Sequence, residues 1–438
     1  MYWFYNICLV AYWILQIPLL IYRLVFEEGF YDRLKQSAGI MPTPTLLQIA
    51  DHNAIWVHAA SVGEVVAASP IERKKKYPQE WVVVSVVPAT GHRMAQRIIP
   101  EADGHIFFPF DLPVITERIV NIVNPKAIIL IETELWPNFL RLAWRKKIPV
   151  MMMNGRISGR SMRRYSLIKR FTTRMLLQIR KFCMQSKIDR ERIISMGAIP
   201  KRVVITGNTK YDQTYAEVSE EERAKLRREF RFEGKGPIIV AGSTHGGEEE
   251  IVVRTFGKVL EKYPDARLLL AVREITRAAS VRFMIKHQGY TVLRRSKMGT
   301  DEDDGKGAQI VILDTIGELG RLYSLADVVF VGGSFVKVGG HNILEPAAHG
   351  KPVLVGPYMF NFQEIFELLS QRGVCIMTPD EKSFETTLLD LLGNPEKMKK
   401  MGEAALEVVH ENQGATERNI ASFEELVKEY GIKLRENA

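Results

Sequence analysis

Ala59-Ala60-Ser61-Val62-Gly63-Glu64-Val65 is the stretch whose reading decides the fold. The four residues before it, Ile55-Trp56-Val57-His58, make an apolar run of the kind that forms a buried strand. Residues 65–71 read as the start of a helix, so a carboxylate stands at a strand-to-helix turn with Gly63 beside it. In open α/β sheets, ligands bind outside the carboxyl ends of strands. Glu64 is therefore either a catalytic base or an ordinary helix-start carboxylate.

The pattern around Glu64 repeats along the chain. Strand-like runs fall at residues 55–59, 81–87, 105–108, 126–131, 150–153, 182–185 and 203–206, with helix-period segments between them. Strands alternating with helices predict a parallel sheet covered on both faces. A densely charged stretch, 217–232, then leads to Glu233-Gly234-Lys235-Gly236-Pro237 and reads as a linker. A second α/β series follows at 238–241, 267–272, 291–293, 309–313, 328–331, 352–355 and 374–377. The chain therefore reads as two Rossmann-like α/β domains, with a cleft between them expected to hold the substrates. The expected boundaries are 27–214 for the first domain, 215–236 for the linker, 237–415 for the second domain and 416–438 for a helical end. Residues 296–306, with Asp301, Glu302, Asp303 and Asp304, read as a solvated loop, since they lack calcium-loop ligand spacing.

Bulk properties narrow the partners. The 438 residues carry a net charge of +9, which favours anionic partners: phosphate-bearing ligands, anionic membrane or nucleic acid. Cys8, Cys183 and Cys375 have neither metal-ligand nor redox spacing, so a reducing compartment is expected. Residues 2–22 contain no charged side chain and are long enough to cross a bilayer core of roughly 30 Å. Residues 1–26 are expected to be a membrane anchor that spans the bilayer or lies at its interface. Arg23, Arg33 and Lys35 follow it, and the positive-inside rule then places the body on the cytoplasmic side.

Four further constellations could carry chemistry. Ile129-Leu130-Ile131-Glu132-Thr133-Glu134-Leu135-Trp136-Pro137-Asn138 runs an apolar strand into two carboxylates, one of which could instead cap the following helix. Asn154-Gly155-Arg156 opens a tract, 156–181, with nine Lys/Arg and no Asp/Glu. That single sign suits anionic head groups or a phosphorylated substrate. Thr206-Gly207-Asn208-Thr209-Lys210 supplies a lysine that could neutralise a carboxylate or phosphate, or be a plain surface lysine. Val331-Gly332-Gly333-Ser334-Phe335, with Gly339-Gly340-His341-Asn342-Ile343-Leu344-Glu345-Pro346-Ala347, is the strongest ligand-binding pattern. Glycines after a strand let backbone approach phosphate, the following helix start favours an anion, and Glu345 would reach a ribose diol.

Ala60-Ser61-Val62-Gly63-Glu64, residues 132–138, Gly207-Asn208-Thr209-Lys210-Tyr211-Asp212, Ser243-Thr244-His245-Gly246-Gly247-Glu248-Glu249, residues 339–347, Asn361-Phe362 and Asn412-Gln413-Gly414-Ala415 together resemble the 3-deoxy-D-manno-oct-2-ulosonic acid (Kdo) transferase family. The resemblance spans nearly the whole chain. It implies a GT-B glycosyltransferase of the cell inner membrane that transfers Kdo from CMP-Kdo to a phosphorylated lipid A precursor. By the same resemblance Glu64 is the proton acceptor, and Glu132 and Lys210 stabilise the transition state. CMP would be held by Val272, Arg273, Ile316, Gly317, Glu318, Asn342, Ile343, Leu344 and Glu345. One segment departs from the family pattern. Where Pro-Arg-His-Pro-Glu-Arg is usual, this chain has Val272-Arg273-Glu274-Ile275-Thr276-Arg277.

A base on the attacking side with no second nucleophile implies inversion. Helix-start dipoles, glycine backbone and Arg273 can offset the leaving phosphate, so neither metal nor cofactor is expected. Two other classes are weighed. A sugar-nucleotide epimerase shares the two-domain architecture but needs neither anchor nor basic tract. A lipid- or nucleic-acid-binding protein would leave Glu64, Glu132 and Glu345 without a role, and no nucleic acid is expected.

Overall fold

Strands form where the apolar runs fall, and every pairing between them is parallel. The computed structural model describes residues 1–27, 29–72, 78–213, 218–232, 234, 236–300 and 306–435. The acidic run 301–304 and parts of the expected linker lie outside the described residues. The chain divides into two units, Met1–Gln213 with Asn412–Ala438, and Thr214–Glu411.

The first unit holds β1 (Ile55–His58), β2 (Val82–Val86), β3 (Gly104–Phe107), β4 (Ala127–Ile131), β5 (Val150–Gly155), β6 (Lys181–Met184) and β7 (Val203–Ile205). Their order is β3-β2-β1-β4-β5-β6-β7. β1, β2 and β4 are buried at every residue, which explains why they read as continuous apolar runs. Alternate side chains serve two cores. Trp56, Ile128, Leu130, Met152 and Phe182 pack on one side. Val57, Val84, Ile129, Met151 and Cys183 pack on the other.

The second unit holds β8 (Ile238–Thr244), β9 (Arg267–Val272), β10 (Val292–Arg294), β11 (Ile310–Leu313), β12 (Val328–Val331), β13 (Val353–Val355) and β14 (Cys375–Met377). Their order is β10-β11-β9-β8-β12-β13-β14. The expected α/β class with two Rossmann-like sheets is thus what the structure shows. In each sheet the order reverses once, between β1 and β4 and between β8 and β12. Connections leave such a pair in opposite directions, which opens a crevice at the strand ends. Glu64 follows β1, Glu132 follows β4, His245 follows β8 and Gly332 follows β12.

Two boundaries differ from expectation. Glu220–Glu229, inside the expected linker, is a helix capped by Ser219. Leu226, Phe230 and Phe232 are buried, so this charged stretch hides an apolar stripe. The chain also returns to the first unit at Asn412 rather than ending as a separate helical segment. The helix Ala415–Glu429 buries Phe423, Leu426 and Val427 in the core behind β1. Asp212 accepts the backbone N–H groups of Gly414 and Thr416 at its start. The apolar period of residues 383–430 signals helices, but it does not say which sheet receives the last one.

Tyr2–Phe26 is a single helix, long and apolar enough to cross a membrane.

Phe423→Ala removes a side chain that only the tertiary fold assigns to the first unit. It should cost about 3–5 kcal/mol. Hydrogen exchange should show the loss in residues 55–213 and leave 238–377 protected.

Candidate active site

In the first unit the helix Val62–Glu72 begins three residues earlier than its apolar period predicts, which brings Glu64 into the first turn. Its Oε2 accepts the Ala60 N–H at 2.7 Å and its Oε1 accepts the Ser61 hydroxyl at 2.9 Å. The helix-start reading is therefore geometrically true. The carboxylate is nevertheless unusual, because it is only 8% exposed. Burial, then Glu134, then Glu132 push its pKa from 4.5 up to about 8, outweighing the two hydrogen bonds.

Glu132 sits at the end of β4 with φ 57°, left-handed for a residue with a side chain. Its N–H stays bonded to the Met153 carbonyl at 2.8 Å, so the sheet's hydrogen bonding continues through the turn. Lys210 Nζ lies 3.7 Å from Glu132 Oε1. The structure thus brings the expected pair together, on opposite sides of β5.

Lys210 is held by a chain of amides. Asn208 Oδ1 accepts the Lys210 N–H at 3.0 Å, and Asn208 donates to Gln185 at 3.0 Å. Asn154, fully buried at the end of β5, accepts the Thr209 N–H at 3.1 Å. Thr209 donates in turn to the Ala67 carbonyl at 2.7 Å, which ties the lysine turn to the helix that carries Glu64.

Glu134 accepts from Trp136 Nε1 at 2.9 Å, and buried His58 presents Nε2 to it at 3.8 Å. The sequence gives little sign of His58 as a neighbour, since it is the last residue of an otherwise apolar strand.

In the second unit the Gly-rich loop after β12 does not offer its backbone to a phosphate, contrary to the sequence expectation. Buried Glu248 fills it. Its Oε2 accepts the N–H groups of Gly333 at 2.7 Å and His245 at 2.9 Å. Its Oε1 accepts those of Ser334 at 2.9 Å and Phe335 at 2.8 Å. Gly332 is required here, because a Cβ would lie 2.8 Å from Glu248 Oε2 and 2.6 Å from the Ser243 carbonyl. Glu248 had no assigned role because it looks like any acidic helix-start residue.

Around this loop, His245 and His341 share a hydrogen bond between their Nε2 atoms at 2.8 Å. Burial and nearby Arg273 press the His341 pKa down to about 4. Arg273 is exposed, with its N–H bonded to the Thr244 carbonyl at 2.9 Å. Arg277, from the segment that departs from the family pattern, forms a two-point pair with buried Glu249 at 2.8 and 3.3 Å.

The other expected nucleotide residues fall into three groups. Val272, Ile343 and Leu344 bury their side chains, so only their backbone can meet a ligand. Ile316 is 67% exposed and Gly317 adopts φ 91° at an open turn. Asn342 donates to Glu345 at 3.1 Å, and burial raises the Glu345 pKa. Glu318 is already engaged. Burial opposes its charge, but Arg295 at 3.0 Å, the Thr315 hydroxyl and Arg321 at 3.1 Å hold its pKa below the ordinary value.

Comparison with known proteins separates the functions this geometry could serve. A family model described as 3-deoxy-D-manno-octulosonic-acid transferase (kdotransferase) matches residues 30–213. One described as glycosyl transferases group 1 matches residues 300–408. A 3-deoxy-D-manno-octulosonic acid transferase of Haemophilus influenzae is 36% identical over 399 residues, covering 90% of this chain and 89% of its own. The chain belongs to the Kdo transferase family. Its activity is glycosyl transfer of Kdo. A relative of that name from Bordetella pertussis is 30% identical, covering 85% of this chain and 87% of its own. A UDP-GlcNAc 2-epimerase from Neisseria meningitidis, solved with UDP-GlcNAc, overlays with a TM-score of 0.57 at 14% identity. It covers 85% of this chain and 100% of its own. That likeness is one of fold alone, and the epimerase reading of the sequence gives way to the family.

Two outcomes follow from this geometry. Glu64 ionises near pH 4.5 when unfolded and near pH 8 when folded, so the folded state binds the extra proton between them. Its contribution is full below about pH 4.5 and lost as pH rises through about 8. Glu64→Gln should therefore gain stability over wild type across that window, as denaturant titration at stepped pH would show. Glu248→Ala should leave four N–H groups unpaired, at about 1–3 kcal/mol for each that stays dry. Limited proteolysis should then cut near residues 332–341.

Proposed function

We propose that the chain transfers Kdo from CMP-Kdo to a phosphorylated lipid A precursor, with inversion and with Glu64 as general base. The observation that carries this reading is the buried Glu64 carboxylate, with its pKa pushed up to about 8 at the first sheet's switch point. A carboxylate held near neutral pKa is a far better proton acceptor than an exposed one.

Glu64 takes the proton of an acceptor hydroxyl as the oxygen attacks the anomeric carbon of Kdo. The bond to the CMP phosphate breaks on the opposite face, and this single displacement inverts the configuration. The proton ends on Glu64 and the electron pair on CMP. Lys210, beside Glu132, balances the Kdo carboxylate or the departing phosphate. In the second unit, exposed Arg273 and the backbone of Ile316, Gly317, Ile343 and Leu344 hold CMP, with Glu345 and Asn342 on its ribose. Glu318, paired with Arg295, shapes that pocket. No metal or other cofactor takes part in this mechanism. The basic tract 156–181 and the N-terminal helix bring the body to the cytoplasmic face of an anionic inner membrane, where the acceptor lies.

Product mass from purified protein, CMP-Kdo and a lipid A precursor tests the reaction. Glu64→Gln should lower transfer by about 10²–10⁴-fold while CMP binding persists. Turnover within a few-fold of wild type would remove Glu64 from the base role. kcat/KM should rise with pH to a plateau above about 8, because only the ionised carboxylate accepts a proton. Glu134→Gln removes a neighbouring negative charge and should move that rise to lower pH.

A further inference from the structure

The helix Tyr2–Phe26 does not stand away from the first unit. Its half-buried positions, among them Tyr2, Asn6, Leu9, Trp13, Gln16 and Leu20, recur every three or four residues. That spacing marks one face of a helix, and the helix is about 37 Å long at 1.5 Å per residue. The face is fastened by specific bonds near its start. The Tyr5 hydroxyl donates to Asp111 at 2.9 Å, Asn138 donates to Asn6 at 2.7 Å, and Gln178 donates to the Tyr2 hydroxyl at 2.7 Å. The Trp13 ring meets Phe110 at 4.2 Å half-way along, and the Arg23 guanidinium stands 6.0 Å from the Phe30 ring near the end.

These contacts bear on how the helix can meet lipid. Asp111 also accepts the N–H groups of Asn138 at 3.0 Å and Phe139 at 2.8 Å, so it belongs to the body of the unit. Arg141 lies 4.7 Å over the Tyr2 ring. A helix crossing the bilayer while docked would carry these charged groups into hydrocarbon, which strongly disfavours that arrangement. The opposite face is bare, with Trp3 and Leu15 each 76% exposed and Val25 70%. Asn6, Gln16 and Arg23 lie on the docked face, so the bare one is almost wholly apolar. Basic charge flanks it. The helix Lys169–Leu176, within the tract free of Asp and Glu, packs against Tyr2 and Tyr5 through Phe171.

We propose that Tyr2–Phe26 lies in the plane of one leaflet as a keel of the first unit, with its bare face in the acyl-chain boundary of an anionic lipid surface. This rests on the membrane-surface reading above and decides between spanning and lying flat. The unit then keeps a fixed height over the lipid, because the keel and the carboxyl ends of β1 and β4 belong to one packed body. Asp111 links them directly, bonding Tyr5 and the start of the helix Pro137–Arg145 that follows Glu132.

The test uses the full chain with Cys8→Ser, since Cys183 and Cys375 are buried. Trp3→Cys, Leu15→Cys and Val25→Cys are each labelled with a nitroxide and reconstituted into phosphatidylglycerol–phosphatidylethanolamine vesicles. Oxygen and nickel accessibility then give the depth of each label. A keel places all three at a similar depth, about 5–10 Å below the phosphates. A spanning helix places Leu15→Cys near the midplane, about 15 Å deep, with the other two at opposite head-group levels. That result overturns the keel and keeps the membrane anchor. Three labels that remain in water overturn the keel and the membrane-surface reading together.

Discussion

All strand pairings in both sheets are parallel, and that constraint organises the protein. A parallel strand must be covered on both faces and left by a crossover, so every turn of one kind gathers at the carboxyl edge. Where neighbouring crossovers part, between β1 and β4 and between β8 and β12, the edge opens. Glu64, with its raised pKa, stands at the first of those places, and the hydrogen-bonded His245–His341 pair, with the lowered pKa of His341, stands at the second.

The two edges treat charge in opposite ways. At the first, three carboxylates, Glu64, Glu132 and Glu134, are gathered with Lys210 near one of them. Their repulsion adds to burial and raises the pKa of Glu64. At the second, the carboxylate of Glu248 is satisfied by four backbone N–H groups and is structural. A Gly-rich loop there is shaped around an internal anion. Nearby, Arg273 is exposed, and Gly317 stands at an open turn.

Much of this was legible in advance. The strands and the Glu64 turn follow from apolar runs that end in charged residues, whereas only the family resemblance groups Glu132 with Lys210. What escaped the sequence depends on distant partners. Glu248 and Glu64 are both helix-start glutamates, each following a buried strand. One is filled by backbone donors and the other is crowded by carboxylates. Only packing distinguishes them, because their neighbours come from residues 333–335 in one case and 132–134 in the other. The helix Glu220–Glu229 was hidden by its charge, since Leu226 is its one buried residue and buried Phe230 and Phe232 lie just beyond its end.

By itself the sequence determined the class of fold, the number of sheets, the apolar first helix and the chemistry of the residues at the strand ends. These depend on local period and residue type, which are written along the chain. The tertiary structure alone decided that the last helix packs behind β1. It alone decided that Tyr5 and Asn6 fasten the first helix to the body and that Glu64 is buried enough to hold its proton to about pH 8. Each of these depends on which distant groups exclude water from a side chain, and that is a property of packing.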